Sequence, residues 1–535
     1  MKKVLIETPA LISELDLQIS QLALNFIANV ITFHPSLVTD SLPLILNDFV
    51  ILSQSSLLQG TTLTAALHFL DALVRNPIPN KPKFEELLDQ LTAPVYDNLS
   101  LHRQAYHSIS ACTAIVASSS DDISKAASLA AKLAEQLRLP NATDGIRLFS
   151  LLALGELGRK CPVLFDDNPN LKPEQLLVEA FGSHSEELKT AASYSLGRLA
   201  VGNLEKFLPF ILQQISSQPK RQYLLLHALK EVIGSECVDS KAVEFFRPRI
   251  EQIWPVLMEN AVCAEEGTRN VVAECLGKLC LIHPQILLPR LKACVNSSSA
   301  YMRASAVTAV KFLIVEQWTA IDDLLQSSMS DFLKAVNDTD LNVRRVALIA
   351  FNSAAHNKPK LIRDLLDTLL PSLYAETVVR PELIREVEMG PFKHTVDDGL
   401  DLRKAAFECM YTLLEACLER LDVFEFMSHM EDGLKDHHDI KLLTYLMLSR
   451  LSVLCPTQVL QRLDRLCEPL KAQIQSKTKT NAVKQENDKL DELRRAALRA
   501  VLALQVRLNV SSITFLNCLL FLPLIISQKS ACFAV

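Results

Sequence analysis

The side chains in this 535-residue chain with the greatest scope for chemistry are its 13 cysteines and 12 histidines. A structural zinc site needs such residues paired at short spacing, and a redox centre needs Cys-x-x-Cys. No Cys-x-x-Cys pair occurs. The densest grouping is Cys263, Cys275, Cys280 and Cys294, each in a helix-like apolar run. A free thiol packs there as a small hydrophobe, so these are read as buried thiols rather than ligands. His437 and His438 adjoin in a polar turn, and the remaining histidines are mostly isolated in helical stretches. There is no glycine-rich phosphate loop and no nucleophile elbow. The expectation is a non-enzymatic chain with no catalytic residue, no metal and no cofactor. Unpaired cysteines in this number point to a reducing compartment, cytoplasm or nucleus.

Charge narrows the partners. The net charge is −6 and the pI about 6.1, so the chain carries no electrostatic footprint for nucleic acid or an acidic membrane surface. No secretory signal is expected, because Glu7 and Pro9 interrupt the apolar run after Met1-Lys2-Lys3. Near the other end, Ile513 to Ile526 is apolar apart from Thr514 and Asn517. A membrane span needs about 20 such residues, and this run is shorter and contains Pro523, so it is not read as an anchor.

The elements that must position any site are helices. Apolar residues make up 49% of the chain and aromatics 6%, with only 13 Gly. Large α/β enzymes need more glycine for turns and phosphate loops. One pattern recurs: a basic residue, then small and apolar residues at helical spacing, then a Leu-rich run. It starts at Arg103, Arg147, Lys189, Arg269, Arg303, Arg345, Arg403, Lys441 and Arg495, with a weak copy at Arg221-Gln222-Tyr223. The step is about 40 residues, the period of two-helix HEAT or armadillo repeats. The fold class is therefore all-α, a HEAT-repeat (armadillo-like) superhelical solenoid. The recurring base is read as an internal ladder that pairs with acids of adjacent repeats, as Asp340 would with Arg345. Leu-Gly-x-Leu occurs at Leu154–Leu157, Leu196–Leu199 and Leu276–Leu279. A glycine costs about 1 kcal/mol inside a helix, so its return at equivalent places implies close helix packing. Pro209, Pro284 and Pro371 are read as turns entering helices.

Two steps break the period. From Arg345 to Arg403 the interval is about 18 residues too long. The excess falls in 376–400, where Leu383, Arg385, Val387 and Met389 alternate with Ile384, Glu386 and Glu388. Alternation at period two is a strand. Gly390-Pro391 is a turn signal, Phe392 to Val396 can return, and Asp397-Asp398-Gly399 closes the unit. The segment reads as a β-hairpin inserted in a helical stack. It is either a loop packed on its own solenoid or a wedge for a partner's surface. The second irregular interval holds a polar, Lys-rich stretch from Ser476 to Lys489, read as a solvated loop.

Specific segments then resemble one family. Arg385–Glu415, Ile215–Tyr223, Cys263–Leu279, Asp340–Pro371 and Val459–Ala472 are closely similar to the C-terminal region of the cullin-associated, neddylation-dissociated family. The resemblance runs from about Lys2 to Gln505, and 345–505 looks like that family's TATA-binding-protein-interacting domain. It implies a long HEAT superhelix that clasps an unmodified cullin–RING scaffold at the cullin's N-terminal end. There a hairpin competes with the substrate adaptor, so that receptors exchange during SCF complex assembly. Ile384, Arg385, Glu386, Val387, Glu388, Met389, Gly390, Pro391, Phe392, Lys393 and His394 match that hairpin motif. The resemblance also names TATA-binding protein as a candidate partner, with no direct nucleic-acid or membrane contact. It covers only the C-terminal half of longer family members, so a role in blocking neddylation does not carry over. The expected organisation is HEAT repeats over 1–375, the hairpin insertion over 376–400, C-terminal repeats over 401–505 and a divergent hydrophobic tail over 506–535. A transport receptor or a phosphatase-type scaffold on the same repeats is the alternative.

Overall fold

The computed structural model describes residues 2–97, 100–165, 171–236, 240–315, 321–389, 392–477 and 484–508. It divides into two compact units, Met1–Cys275 and Leu276–Val535. In the first unit, helices Leu17–Phe33, Gly60–Arg75, Arg103–Ser118, Asp144–Lys160, Glu186–Gly202 and Gln222–Glu236 each pack on the next of the series. Leu42–Ser53, Phe84–Tyr96, Ile123–Arg138, Pro173–Ala180 and Leu204–Ser217 alternate with them as a second layer. The second unit repeats the plan. Its first layer is Ala300–Val315, Leu341–Asn357, Leu400–Ala416, His438–Leu454 and Lys484–Leu508. Helix Gln222–Glu236 stands where the sequence showed only a weak copy of the repeat.

The pairing follows from the apolar stripes. Leu24, Ile27 and Ile31 face Ile45, Phe49, Phe69 and Leu70 in one dry cluster, with the Phe49 and Phe69 rings 5.1 Å apart. Each such side chain contributes about 1.5–3 kcal/mol by leaving water. Polar residues fix where helices start. Asp16 accepts from the amides of Gln18 and Ile19, and Ser185 accepts from Leu188, as N-caps do.

The Leu-Gly-x-Leu glycines sit where first-layer helices touch. A Cβ on Gly155 would lie 2.6 Å from Ser195 Cα, one on Gly197 2.6 Å from Ala228 O, and one on Gly277, in helix Glu266–Ile282, 2.6 Å from Ala309 O. The prolines divide differently from the sequence expectation. Pro284 opens Pro284–Cys294, but Pro209 and Pro371 lie inside Leu204–Ser217 and Leu366–Ala375. Each is an exposed residue in the second turn of its helix, where its ring gives up one amide-to-carbonyl bond.

The recurring basic residues keep the turns in place. Arg147 donates to Leu139 O and Pro140 O at 3.2 and 3.0 Å, and Arg269 to Cys263 O and Ala264 O at 2.7 Å each. Arg303 donates to Ser297 O and Ser298 O at 3.0 and 3.2 Å, and also grips Asp338 of the next repeat with two bonds of 2.8 Å. The ladder is real at Arg303 and Arg403 but not at the pair first expected. Asp340 caps Leu341–Asn357 through the amides of Asn342 and Val343, while Arg345 bonds Asn342.

Lys484–Leu508 begins inside the stretch read as a solvated loop. Its Lys, Gln and Glu residues are good helix formers, and buried Leu493, Ala497, Val501 and Leu504 give the helix a surface to pack on. Residues 478–483 and 509–535, including the apolar Ile513–Ile526 run, lie outside the described residues. Among the described residues, no helix is long and apolar enough to cross a membrane.

Candidate functional site

The segment where the helical period fails forms two antiparallel strands, β1 Ile384–Met389 and β2 Phe392–Asp397. Ile384 pairs with Asp397, Val387 with His394 and Met389 with Phe392. The register places Ile384, Glu386, Glu388, Thr395 and Asp397 on one face. Arg385, Val387 and Val396 share the other. Arg385, Glu386, Glu388 and Thr395 are exposed, and Val387 and Val396 are half-buried. Gly390 and Pro391 lie outside the described residues, as do the side chains of Met389, Phe392, Lys393 and His394.

A two-stranded hairpin is marginal by itself in water. This one is held by its feet. On the entry side, Glu376 is 5% exposed, with Arg380 Nη2 3.0 Å away. Arg344 Nε lies 3.4 Å from the other carboxylate oxygen, an ionic contact rather than an aligned hydrogen bond. Thr377 Oγ1 is 3.0 Å from His429 Nδ1, and the His429 ring stacks on Tyr374 at 4.4 Å. Burial pushes the His429 pKa down, against the opposing pull of Glu425 and Asp432.

On the exit side, Asp398 N donates to Leu383 O at 3.0 Å, and Gly399 N to Asp397 Oδ1 at 3.0 Å. Arg403, 3% exposed, donates to Asp397 Oδ2 at 2.8 Å and to both oxygens of Asp436 at 2.9 and 3.0 Å. Burial would raise the Asp397 carboxyl, but the Arg403 guanidinium outweighs it and holds it below the usual carboxylate range. Arg385 and Asp398 form an exposed pair at 2.7 Å. Helix Leu400–Ala416 still packs on Leu341–Asn357, so the insertion does not interrupt the stack.

Of the residues expected at the site, β1 and β2 therefore bring Ile384–Glu388 and the backbones of Met389 and Phe392–His394 together. The feet were missed. Asp397, Arg403, Glu376, Thr377 and His429 were each visible, but their pairing spans up to two repeats. Exposed Val378 and Val379 beside the entry foot were also missed. The cysteines behave differently from one another: Cys275 and Cys280 are buried, whereas Cys263 and Cys294 are partly exposed. Burial pushes the Cys112 thiol up to about 12, far from a reactive thiolate.

Comparison with known proteins supplies the family. The family model described as TATA-binding protein interacting (TIP20) matches residues 361–519, which include the whole hairpin and run past Gln505. Cullin-associated NEDD8-dissociated protein 2 of Rattus norvegicus is 47% identical over 515 residues, 95% of this chain and 40% of its own length. Cullin-associated NEDD8-dissociated protein 1 of Drosophila melanogaster is 48% identical over 520 residues, 94% of this chain and 41% of its own. The chain thus spans about 40% of the length of these curated relatives. Among solved structures, yeast importin-beta (Kap95p) superposes with a TM-score of 0.52 at 13% identity, covering 99% of this chain and 66% of that one. That likeness shows the HEAT-repeat fold alone. With identity of 40–48% to proteins of that name across 95% of its length, the chain belongs to the cullin-associated, NEDD8-dissociated family and matches the C-terminal part of its longer members.

Proposed function

We propose that this chain is a non-catalytic scaffold regulator that binds an unneddylated cullin–RING scaffold at the cullin's N-terminal end. There the hairpin, Ile384–His394, occupies the surface that a substrate adaptor would otherwise take. Transient sharing of one scaffold by chain and adaptor would promote receptor exchange and SCF complex assembly. The observation that carries this reading is a hairpin with exposed strand residues and both feet tied into the helical stack, inside the segment that matches the family model. The family is one of scaffold-type regulators rather than a known catalytic family. The relatives' names associate them with cullins and NEDD8, which supports the choice of partner. The family model's description supports TATA-binding protein as a second candidate. Net charge argues against direct nucleic-acid or membrane contact, and the free thiols suit cytoplasm and nucleus.

The test is co-precipitation with tagged chain from cell lysate, comparing neddylated and unmodified cullin. Recovery of unmodified cullin in preference to the neddylated form is expected. Recovery of a Ran-type GTPase with no cullin would contradict the reading and favour a transport receptor.

A further inference from the structure

We propose that Asp397 and Arg403 are the positioning pair that aims the hairpin, and that Arg403 does this with a side chain that other repeats use to hold their own turns. The functional part of this proposal rests on the wedge reading above; the structural part does not.

The comparison among repeats carries the argument. Arg147, Arg269 and Arg303 each donate to carbonyls of the turn that precedes their own helix. Arg403 occupies the same place in the sequence pattern, at the start of Leu400–Ala416. The turn before it has been replaced by the hairpin's exit, and the guanidinium meets the Asp397 carboxylate instead, at 2.8 Å. Its other contact is unchanged in kind. Arg403 holds Asp436 with two bonds, as Arg303 holds Asp338.

A guanidinium presents its donors in a rigid planar fork. With Nε and one Nη2 proton of that fork held by Asp436, the second Nη2 proton is aimed at Asp397 Oδ2. Asp397 is the last residue of β2 and pairs with Ile384, the first of β1. Fixing it therefore fixes the strand ends from which the whole hairpin projects. Strands of this length extend about 20 Å, so a small rotation at the base becomes a large displacement at the tip. The Arg385–Asp398 pair at the same end is exposed and screened by solvent, and contributes little to holding this angle.

Asp397→Asn in the full chain isolates the contact. It keeps the Oδ1 acceptor for Gly399 and removes the charge facing Arg403. Amide hydrogen exchange of the isolated protein should show protection over 384–397 falling about tenfold or more, with Leu400–Ala416 unchanged. Asp338→Asn, which cuts the matching ladder bond in a repeat without a hairpin, should leave 384–397 as in the parent. Unaltered exchange over 384–397 in Asp397→Asn would overturn the proposal. So would equal loss across Leu400–Ala416, which would mean that Asp397 serves the repeat and not the hairpin. In a second arm, Asp397→Asn should still capture cullin but displace adaptor more slowly. Loosened exchange with normal displacement would uphold the pair as the hairpin's anchor and count against the wedge reading instead.

Discussion

Glu156 is a charged residue in an otherwise apolar Leu-Gly-Glu-Leu run, and it is 5% exposed. Arg198 of the next repeat reaches it at 2.8 Å, Arg159 at 3.0 Å and the Tyr194 hydroxyl at 3.1 Å. Burial would raise its carboxyl, but the two guanidiniums, Arg198 foremost, hold it below the usual range. A carboxyl depressed in the folded state stabilises above the ordinary Glu pKa of about 4.3, and that stability is lost as pH falls through the folded value. Glu156→Gln should therefore cost about 3 kcal/mol at neutral pH and flatten the acid limb of stability in urea melts. Asp397 follows the same sign: protection of the hairpin base should persist below the ordinary carboxylate range and fail only in stronger acid. Little of this was legible in sequence. A glutamate on a helix is ordinarily solvated, and its partner lies a full repeat away.

Helices and turns were more legible, because their signals are local. The apolar stripe at helical spacing and the alternation from Leu383 to Met389 each depend on neighbours in sequence, and each formed the element expected. The glycines of Leu-Gly-x-Leu were read as close contacts for a sound reason, their intrinsic helical cost. Gly155→Ala would gain up to about 1 kcal/mol on propensity alone. With Ser195 Cα 2.6 Å from the new methyl, overpacking should instead give a net loss of about 1–3 kcal/mol, read as a lower melting temperature. A gain would show that these helices can separate freely. Pro209 and Pro371 were misplaced because a proline signals a break in the amide ladder but not whether the break falls before a helix or in its second turn. Lys484 to Lys489 was misread because tertiary packing of Leu493 and Ala497 decided the conformation of a polar stretch. The hairpin's existence was legible, but its anchoring was not, since Asp436 and His429 come from later repeats.

Across the whole molecule, a stack of repeats meets a partner through many modest contacts rather than one deep pocket. Single substitutions on the repeat surface should therefore weaken cullin capture without abolishing it, except at a few anchor residues. The hairpin is different in kind, since it is the one pair of strands among the described residues. Removing it should separate holding the scaffold from displacing the adaptor. The most direct measurement is the rate at which purified chain releases adaptor from a preformed, unmodified cullin–adaptor complex, compared between the intact chain and a variant lacking Ile384–His394. The account predicts that both capture the cullin and that only the intact chain accelerates adaptor release. Equal acceleration by the two would contradict it.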